Sequence, residues 1–514
     1  MIARSAVVAV ATLALLAGPA AGAGQAATKK PVVATKSGSV RGVTHGRFQE
    51  FLGLPYAAPP VRGLRFAPPA APGKWNGVRV ANRQAPACLQ FEPTGVREQQ
   101  AMSEDCLYLD VYRPRSTRPK SKLPVMVWVH GGGNTQGTGV IYGGGTMAAT
   151  TKTIIVPINY RLGALGFLAH PALSAVTPGG SGNYGAMDQL ASLRWIRSNI
   201  AKFGGDPGNV TIYGQSAGAA GACNLLAVPS AKGLFDKAIV ESSPCTNARN
   251  TLAAGEASGV NFATAVGCTD AANVVRCLRM TWAGTLIANQ KNYLGGPKVG
   301  GAFLPSAPAQ AAASGQWNRV PIMTGSTRSE NRLLSTALAG ITAQGYVDRV
   351  NATYGAKAAR VLELYPLSRF KSPYDAITQV QTDAGAACQT EVAAKLFDPL
   401  TPTYRYEFDD PTSPTLYGFG LPGEDMSNGH SAELAYLFDF TLGEKALTPT
   451  QEKLSDQMMR YWGAFAATGK PAVRGAPAWP TYGASARVMS LRAGGDSAVI
   501  TSLQQEHNCA FWLG

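Results

Sequence analysis

The chain has 514 residues, 45% of them hydrophobic and only 15% charged, with 58 glycines. That is a globular composition with ample chain for a buried core, and it excludes a disordered protein. The formal net charge is +15, but the basic residues are scattered and form no cluster interleaved with aromatics, so the excess reads as a basic surface and no nucleic-acid partner is expected. Eight cysteines without a Cys-x-x-Cys pair and only five histidines exclude the usual zinc patterns, so no metal and no cofactor are expected.

The chain opens with a positive Arg4, an apolar run from Ala6 to Leu16, and small-residue cleavage sites at Ala21-Gly22-Ala23 or Gly24-Gln25-Ala26. This predicts a secretory signal over residues 1–23, with cleavage as late as residue 26. The apolar run is too short to span a bilayer, polar Thr28-Lys29-Lys30 follows, and no later stretch is long and apolar enough. A secreted protein without a membrane span is expected, in which cysteines read as disulfides.

Past the signal, Lys36 to Gly42 reads as a hairpin, and a stiff Pro-rich loop runs through Pro59, Pro60, Pro68, Pro69 and Pro72. Leu107 to Val111 and Val125 to Val129 read as strands, the second ending in His130-Gly131-Gly132-Gly133-Asn134. Consecutive glycines at a strand end leave backbone N–H groups free to converge on one ligand atom. Ile154 to Ile158 is a further strand, and Leu190, Leu193, Ile196, Ile200 and Phe203 fall at helical spacing. Strands follow at Val210 to Tyr213, Ala238 to Val240, Val320 to Met323, and Tyr404 to Phe408, the last with apolar/charged alternation. Thr448-Pro449 starts a helix with the apolar stripe Leu454, Met458, Trp462 and Phe465, which Gly469 and Pro471 stop. Strands alternating with helices predict an α/β fold, a mostly parallel central sheet flanked by helices with long insertions, as one domain over residues 28–514.

The chemistry concentrates at Gly214-Gln215-Ser216-Ala217-Gly218, where a strand turns at once into a helix. Small neighbours permit that strained turn, which lifts the Ser216 hydroxyl above the sheet and leaves the Ala217 amide at a helix N-terminus. A serine hydroxyl needs a base, usually a histidine oriented by a carboxylate. Of His45, His130, His170, His430 and His507, only His430 sits late in the chain in a flexible glycine-containing segment, as the order serine, acid, histidine requires.

These stretches resemble the type B carboxylesterases of the α/β-hydrolase fold, a family that also contains cholinesterases and the non-catalytic neuroligins. The resemblance is carried by Phe203 through Gly218, Glu104-Asp105-Cys106-Leu107-Tyr108-Leu109-Asp110, Phe51 to Tyr56, Asn159 to Gly163, and Leu454 to Pro471. It implies Ser216 as nucleophile, His430 as general base and Glu330 as the acid, although Ser329 and Asn331 depart from the family pattern around Glu330. It implies oxyanion donors at Gly132, Gly133 and Ala217, ion pairs Arg65 with Glu104 and Arg161 with Asp188, and disulfides Cys88–Cys106, Cys268–Cys277 and Cys388–Cys509. Cys223 and Cys245 are left over, on adjacent elements able to bring them together.

Three departures bear on substrate. Gln215 stands where the family often has glutamate, no Trp lies between Cys88 and Cys106 to stack on a quaternary amine, and Asn134 replaces a common aromatic. The expected function is hydrolysis of uncharged carboxylic esters, small or polymeric, through an acyl-enzyme. The alternatives are a neuroligin-like binding protein and a lipase or polyesterase using the same triad. The sequence assigns no oligomeric state.

Overall fold

The computed structural model describes residues 30–91, 101–415, 420–439 and 446–514. The expected signal segment lies outside them, as does part of the loop between Cys88 and Cys106. The fold is carried by an eleven-stranded sheet. In chain order its strands are β1 (Val43–Thr44), β2 (Phe48–Pro55), β3 (Tyr108–Pro114), β4 (Leu123–Val129), β5 (Ile154–Ile158), β6 (Gly205–Gln215), β7 (Lys237–Glu241), β8 (Ile322–Thr327), β9 (Thr403–Phe408), β10 (Val488–Leu491) and β11 (Ala498–Ile500). Across the sheet they lie in the order 11-10-9-8-7-6-4-5-3-2-1. Neighbours from β10 to β5 pair in parallel, and antiparallel strands close both edges. The mostly parallel sheet expected from the sequence is therefore present.

A parallel sheet needs apolar cover on both faces, because its crossovers lay helices on each. β4 shows how the sequence meets that demand. Val125, Val127 and Val129 enter one core with Trp195, Phe203 and Leu225, while Met126 and Trp128 enter the other with Tyr406 and Trp462. Among the helices beside the sheet are α1 (Tyr184–Asn199), α2 (Ala217–Ala227) and α3 (Pro449–Thr468). α3 starts where its sequence says, with Thr448 and Gln451 forming a reciprocal capping box, and ends at Gly469 with φ 76°. The helices Ala343–Tyr354, Ala358–Leu364, Pro373–Thr382 and Cys388–Phe397, and the strands β10 and β11, had no counterpart in the sequence reading.

The alternation read in β9 does not separate a buried face from an exposed one. All six residues are buried. Tyr404, Tyr406 and Phe408 enter the core beside Trp462 and Trp479, while Arg405 and Glu407 lie fully buried on the opposite face. There Arg405 pairs with Glu391, and Glu407 accepts from Arg328 (2.7 Å) and His507 (2.6 Å). Period-two alternation here separates two kinds of burial, apolar packing and satisfied ion pairs.

His507 is held on both sides, its other ring nitrogen bonding Asp383 at 2.6 Å. Burial alone would lower its pKa, but the Glu407 and Asp383 carboxylates outweigh that and hold it up at about 10. An unfolded histidine titrates near 6.5, so this clamp contributes fully below that pH and is lost as pH rises through about 10. His507→Ala is expected to cost about 3–5 kcal/mol near neutrality, since it leaves two buried carboxylates short of a cation. Urea unfolding at neutral and at strongly alkaline pH checks this. The deficit should narrow at alkaline pH, and a constant deficit would deny the imidazolium its role.

The eight cysteines form four disulfides, Cys88–Cys106, Cys223–Cys245, Cys268–Cys277 and Cys388–Cys509. The Cys223–Cys245 bridge ties α2 to the segment after β7. Arg65 meets Glu104 at 2.6 Å and Arg161 meets Asp188 at 2.8 Å, the two ion pairs the resemblance implied.

Candidate active site

β6 ends at Gln215, and Ser216 caps α2 with φ 57° and ψ −124°, a conformation costly for any residue with a Cβ. The turn closes only because its neighbours are small. A Cβ on Gly218 would fall 1.9 Å from the Val129 carbonyl oxygen, and one on Gly214 would fall 2.6 Å from the Gly218 carbonyl carbon. Ser216 N donates to the Glu241 carbonyl on β7 at 2.8 Å, which anchors the turn to the sheet.

β4 delivers the glycine corner to the same place. A Cβ on Gly131 would lie 3.1 Å from the Ser216 Cβ. Gly132, Gly133 and Asn134 all have positive φ (99°, 62° and 60°), so the chain curls back on itself and two later amides bond the Gly132 carbonyl. The N–H groups of Gly132, Gly133 and Ala217 have no acceptor among the described residues. His130, which opens the corner, stacks on Tyr160, and burial pushes its pKa down to about 4, so it stays neutral.

Glu330 follows β8 and is buried, its Oε1 accepting from the Thr327 amide at 2.8 Å. His430 Nδ1–H donates to the other oxygen, Oε2, at 2.5 Å, and the His430 amide donates to the Glu330 carbonyl at 3.2 Å. Burial disfavours both charges, yet each holds the other. The Glu330 carboxylate lifts the His430 pKa above its ordinary value, and the imidazole lowers that of Glu330.

Around His430 the structure also gathers residues the sequence reading did not single out. Ser242 Oγ donates to Glu433 at 3.2 Å, and Trp462 Nε1 donates to Glu241 at 2.7 Å. Burial pushes the Glu433 and Glu241 carboxyls up to about 8, Glu433 with added repulsion from Glu330 and Glu241. Burial thus disfavours charge on both, and Glu330 is the carboxylate that meets the imidazole. Spacing gave a partial hint for Glu433, three residues after His430; nothing local pointed to Ser242.

Ser216 and His430 approach through Gln215 without being joined. Among the described residues no hydrogen bond connects the Ser216 hydroxyl to His430. The Gln215 amide nitrogen lies against the imidazole instead, 3.1 Å from Nε2 and 3.4 Å from Nδ1, nearly equidistant from the two ring nitrogens. Gln215→Glu replaces that amide with a carboxylate and is expected to raise the His430 pKa further. Protonated imidazole cannot act as a base, so the acid limb of kcat/KM should move up by about one pH unit. A pH–rate profile measures this, and an unmoved midpoint would mean that position 215 does not act on the base.

Among the described residues no group of acidic, histidine and cysteine side chains is arranged to hold a metal ion, and no helix is long and apolar enough to cross a membrane. Comparison with known proteins is consistent along nearly the whole chain. A family model described as "Carboxylesterase family" matches residues 29–512. A fumonisin B1 esterase of Sphingopyxis macrogoltabida is 33% identical over 486 residues, covering 91% of this chain and 88% of that one. A para-nitrobenzyl esterase of Bacillus subtilis (strain 168) is 33% identical over 478 residues, covering 88% and 92%. A solved PNB esterase superposes with a TM-score of 0.78 at 29% identity, covering 93% of this chain and 99% of that one.

Proposed function

The chain belongs to the carboxylesterase family, with the α/β-hydrolase fold, and from that premise we propose that Ser216, His430 and Glu330 hydrolyse uncharged carboxylic esters through an acyl-enzyme. Ser216 Oγ attacks the ester carbonyl carbon while its proton passes to His430 Nε2, and Glu330 stabilises the imidazolium. The carbonyl oxygen gains the negative charge and takes hydrogen bonds from the Gly132, Gly133 and Ala217 amides. On collapse the alcohol leaves with the proton from His430. Water then gives its proton to His430, attacks the acyl-serine and releases the acid.

The observation that carries this reading is the 2.5 Å bond from His430 to Glu330 beside a serine held at φ 57°. The neutral Gln215 amide favours an uncharged substrate over a cationic one. Four disulfides favour export to an oxidising compartment.

A fluorophosphonate probe tests the proposal. The folded protein should be labelled at Ser216, found by peptide mapping, with a rate that falls as pH drops below the raised His430 pKa. Folded protein that resists the probe at every pH would favour a binding role instead.

A further inference from the structure

The turn that carries Glu330 is tied to one helix, Pro373–Thr382. On one side of Glu330, Ser329 Oγ donates to Gln379 Oε1 at 3.3 Å, so a residue that departs from the family pattern has a partner here. On the other side, the Asn331 amide donates to Thr382 Oγ1 (3.0 Å) and the Tyr374 hydroxyl donates to the Arg332 carbonyl. An ion pair completes the set, Arg332 Nη2 with Asp375 Oδ1 at 2.7 Å. The acid therefore sits on a firmly held element.

The segment that carries His430 is under strain. Asn428 and Ser431, on either side of His430, hold φ at 53° and 73°. That region costs free energy for residues with a Cβ and persists only where the surroundings impose it. Two backbone bonds join this segment to the acid turn, from the Ser329 amide to the Asn428 carbonyl (3.0 Å) and from the His430 amide to the Glu330 carbonyl (3.2 Å). Arg332 adds a charged one. Its Nη1 donates to the Ser427 carbonyl at 2.8 Å and to Ser427 Oγ at 3.2 Å, with Asp425 at 3.3 Å. Its stem lies beneath the segment, where a Cβ on Gly429 would come 3.5 Å from the Arg332 Cβ. The planar fork of a guanidinium can hold two elements at once, here the helix through Nη2 and the base segment through Nη1.

We propose that Arg332 is a positioning residue whose guanidinium clasps the segment carrying His430 to the turn carrying Glu330, and so sets the hydrogen bond between acid and base. The proposal rests on the Ser216, His430 and Glu330 reading. The carboxylates acting on His430 are Glu330 and Glu433, and those facing the guanidinium are Asp375 and Asp425. Burial raises the Asp425 pKa, but Lys371, Ser427 and Arg332 outweigh that and hold it at about 2. Asp425 therefore keeps its charge through the range in which an imidazole titrates, and the acid limb of the rate reports on His430.

The test uses the full chain, the substitution Arg332→Met, and a p-nitrophenyl ester followed across pH. The value of kcat should fall about 10- to 100-fold with KM changed by less than about twofold, because a displaced base slows the chemistry and leaves ester binding intact. Glu330 holds the His430 pKa up, so a looser bond should move the acid limb down by about half a pH unit. Arg332→Lys keeps the charge without the fork and should recover part of both effects. Should Arg332→Met fail to fold, Asp375→Asn weakens the anchor of the guanidinium on the helix and should move kcat and the acid limb the same way. A folded variant with wild-type kcat and an unmoved acid limb overturns the proposal, even if its Tm has dropped. Failure of the wild-type protein to take a fluorophosphonate label at Ser216 overturns the serine reading instead.

Discussion

Replacing Ser216 by alanine is expected to lower kcat toward a p-nitrophenyl ester by about 10⁶-fold, the loss typical when a triad nucleophile is removed. The size follows from what the remaining site can do. The Gly132, Gly133 and Ala217 amides still stabilise an oxyanion, but no covalent intermediate forms, and water must attack without a held geometry. A residual rate about 10³ to 10⁴ above the uncatalysed reaction is what such donors and binding supply by themselves. The backbone strain at φ 57° is the same for alanine, so the fold should survive. Circular dichroism together with release of p-nitrophenol checks both points, and a folded variant retaining wild-type turnover would remove Ser216 from the mechanism.

Glu330→Gln is the second large effect, with an expected loss in kcat of about 10⁴-fold. The amide keeps the shape and can still face His430, yet it carries no charge to stabilise the imidazolium and favours the wrong tautomer. Burial disfavours charge on the nearby Glu433 and Glu241, so neither replaces it in full near neutrality. The remaining activity should also show a shifted acid limb. Glu330 raises the His430 pKa, so removing its charge lowers that pKa and extends the residual activity to lower pH. As pH rises toward 8 Glu433 ionises, earlier than in the wild type because the repulsion from Glu330 is gone, and part of the loss should be recovered. A variant within tenfold of wild type, with an unmoved acid limb, would mean that Glu330 does not support the base.

The parts of the fold and site that were legible are those set within a few residues. Gly214 and Gly218 flank Ser216 because a Cβ at either would run into the neighbouring backbone, a steric rule readable from five letters. Thr448, Pro449 and Gly469 mark the ends of α3 because each satisfies or relieves a local backbone group. The glycine corner was visible for the same reason. Less legible were elements whose meaning depends on distant partners. β9 was legible as an alternating strand, but the burial of its charges was not, because Glu391, Arg328 and His507 come from elsewhere in the chain. Nothing local to His507 pointed to the two buried carboxylates that grip its ring.

The sequence by itself therefore determined the sheet-and-helix order, the strained serine turn, and the order in which Ser216, Glu330 and His430 occur, the first two fixed by short-range sterics and spacing. Only the tertiary structure decided which ionisable groups carry charge and which atoms meet. It set Glu330 rather than Glu433 against His430, laid the Gln215 amide against the imidazole, and brought Arg332 onto Ser427 and Asp375. The physical reason is that desolvation and Coulomb interactions depend on neighbours brought together from residues scattered along the chain, and no local pattern of residues encodes them.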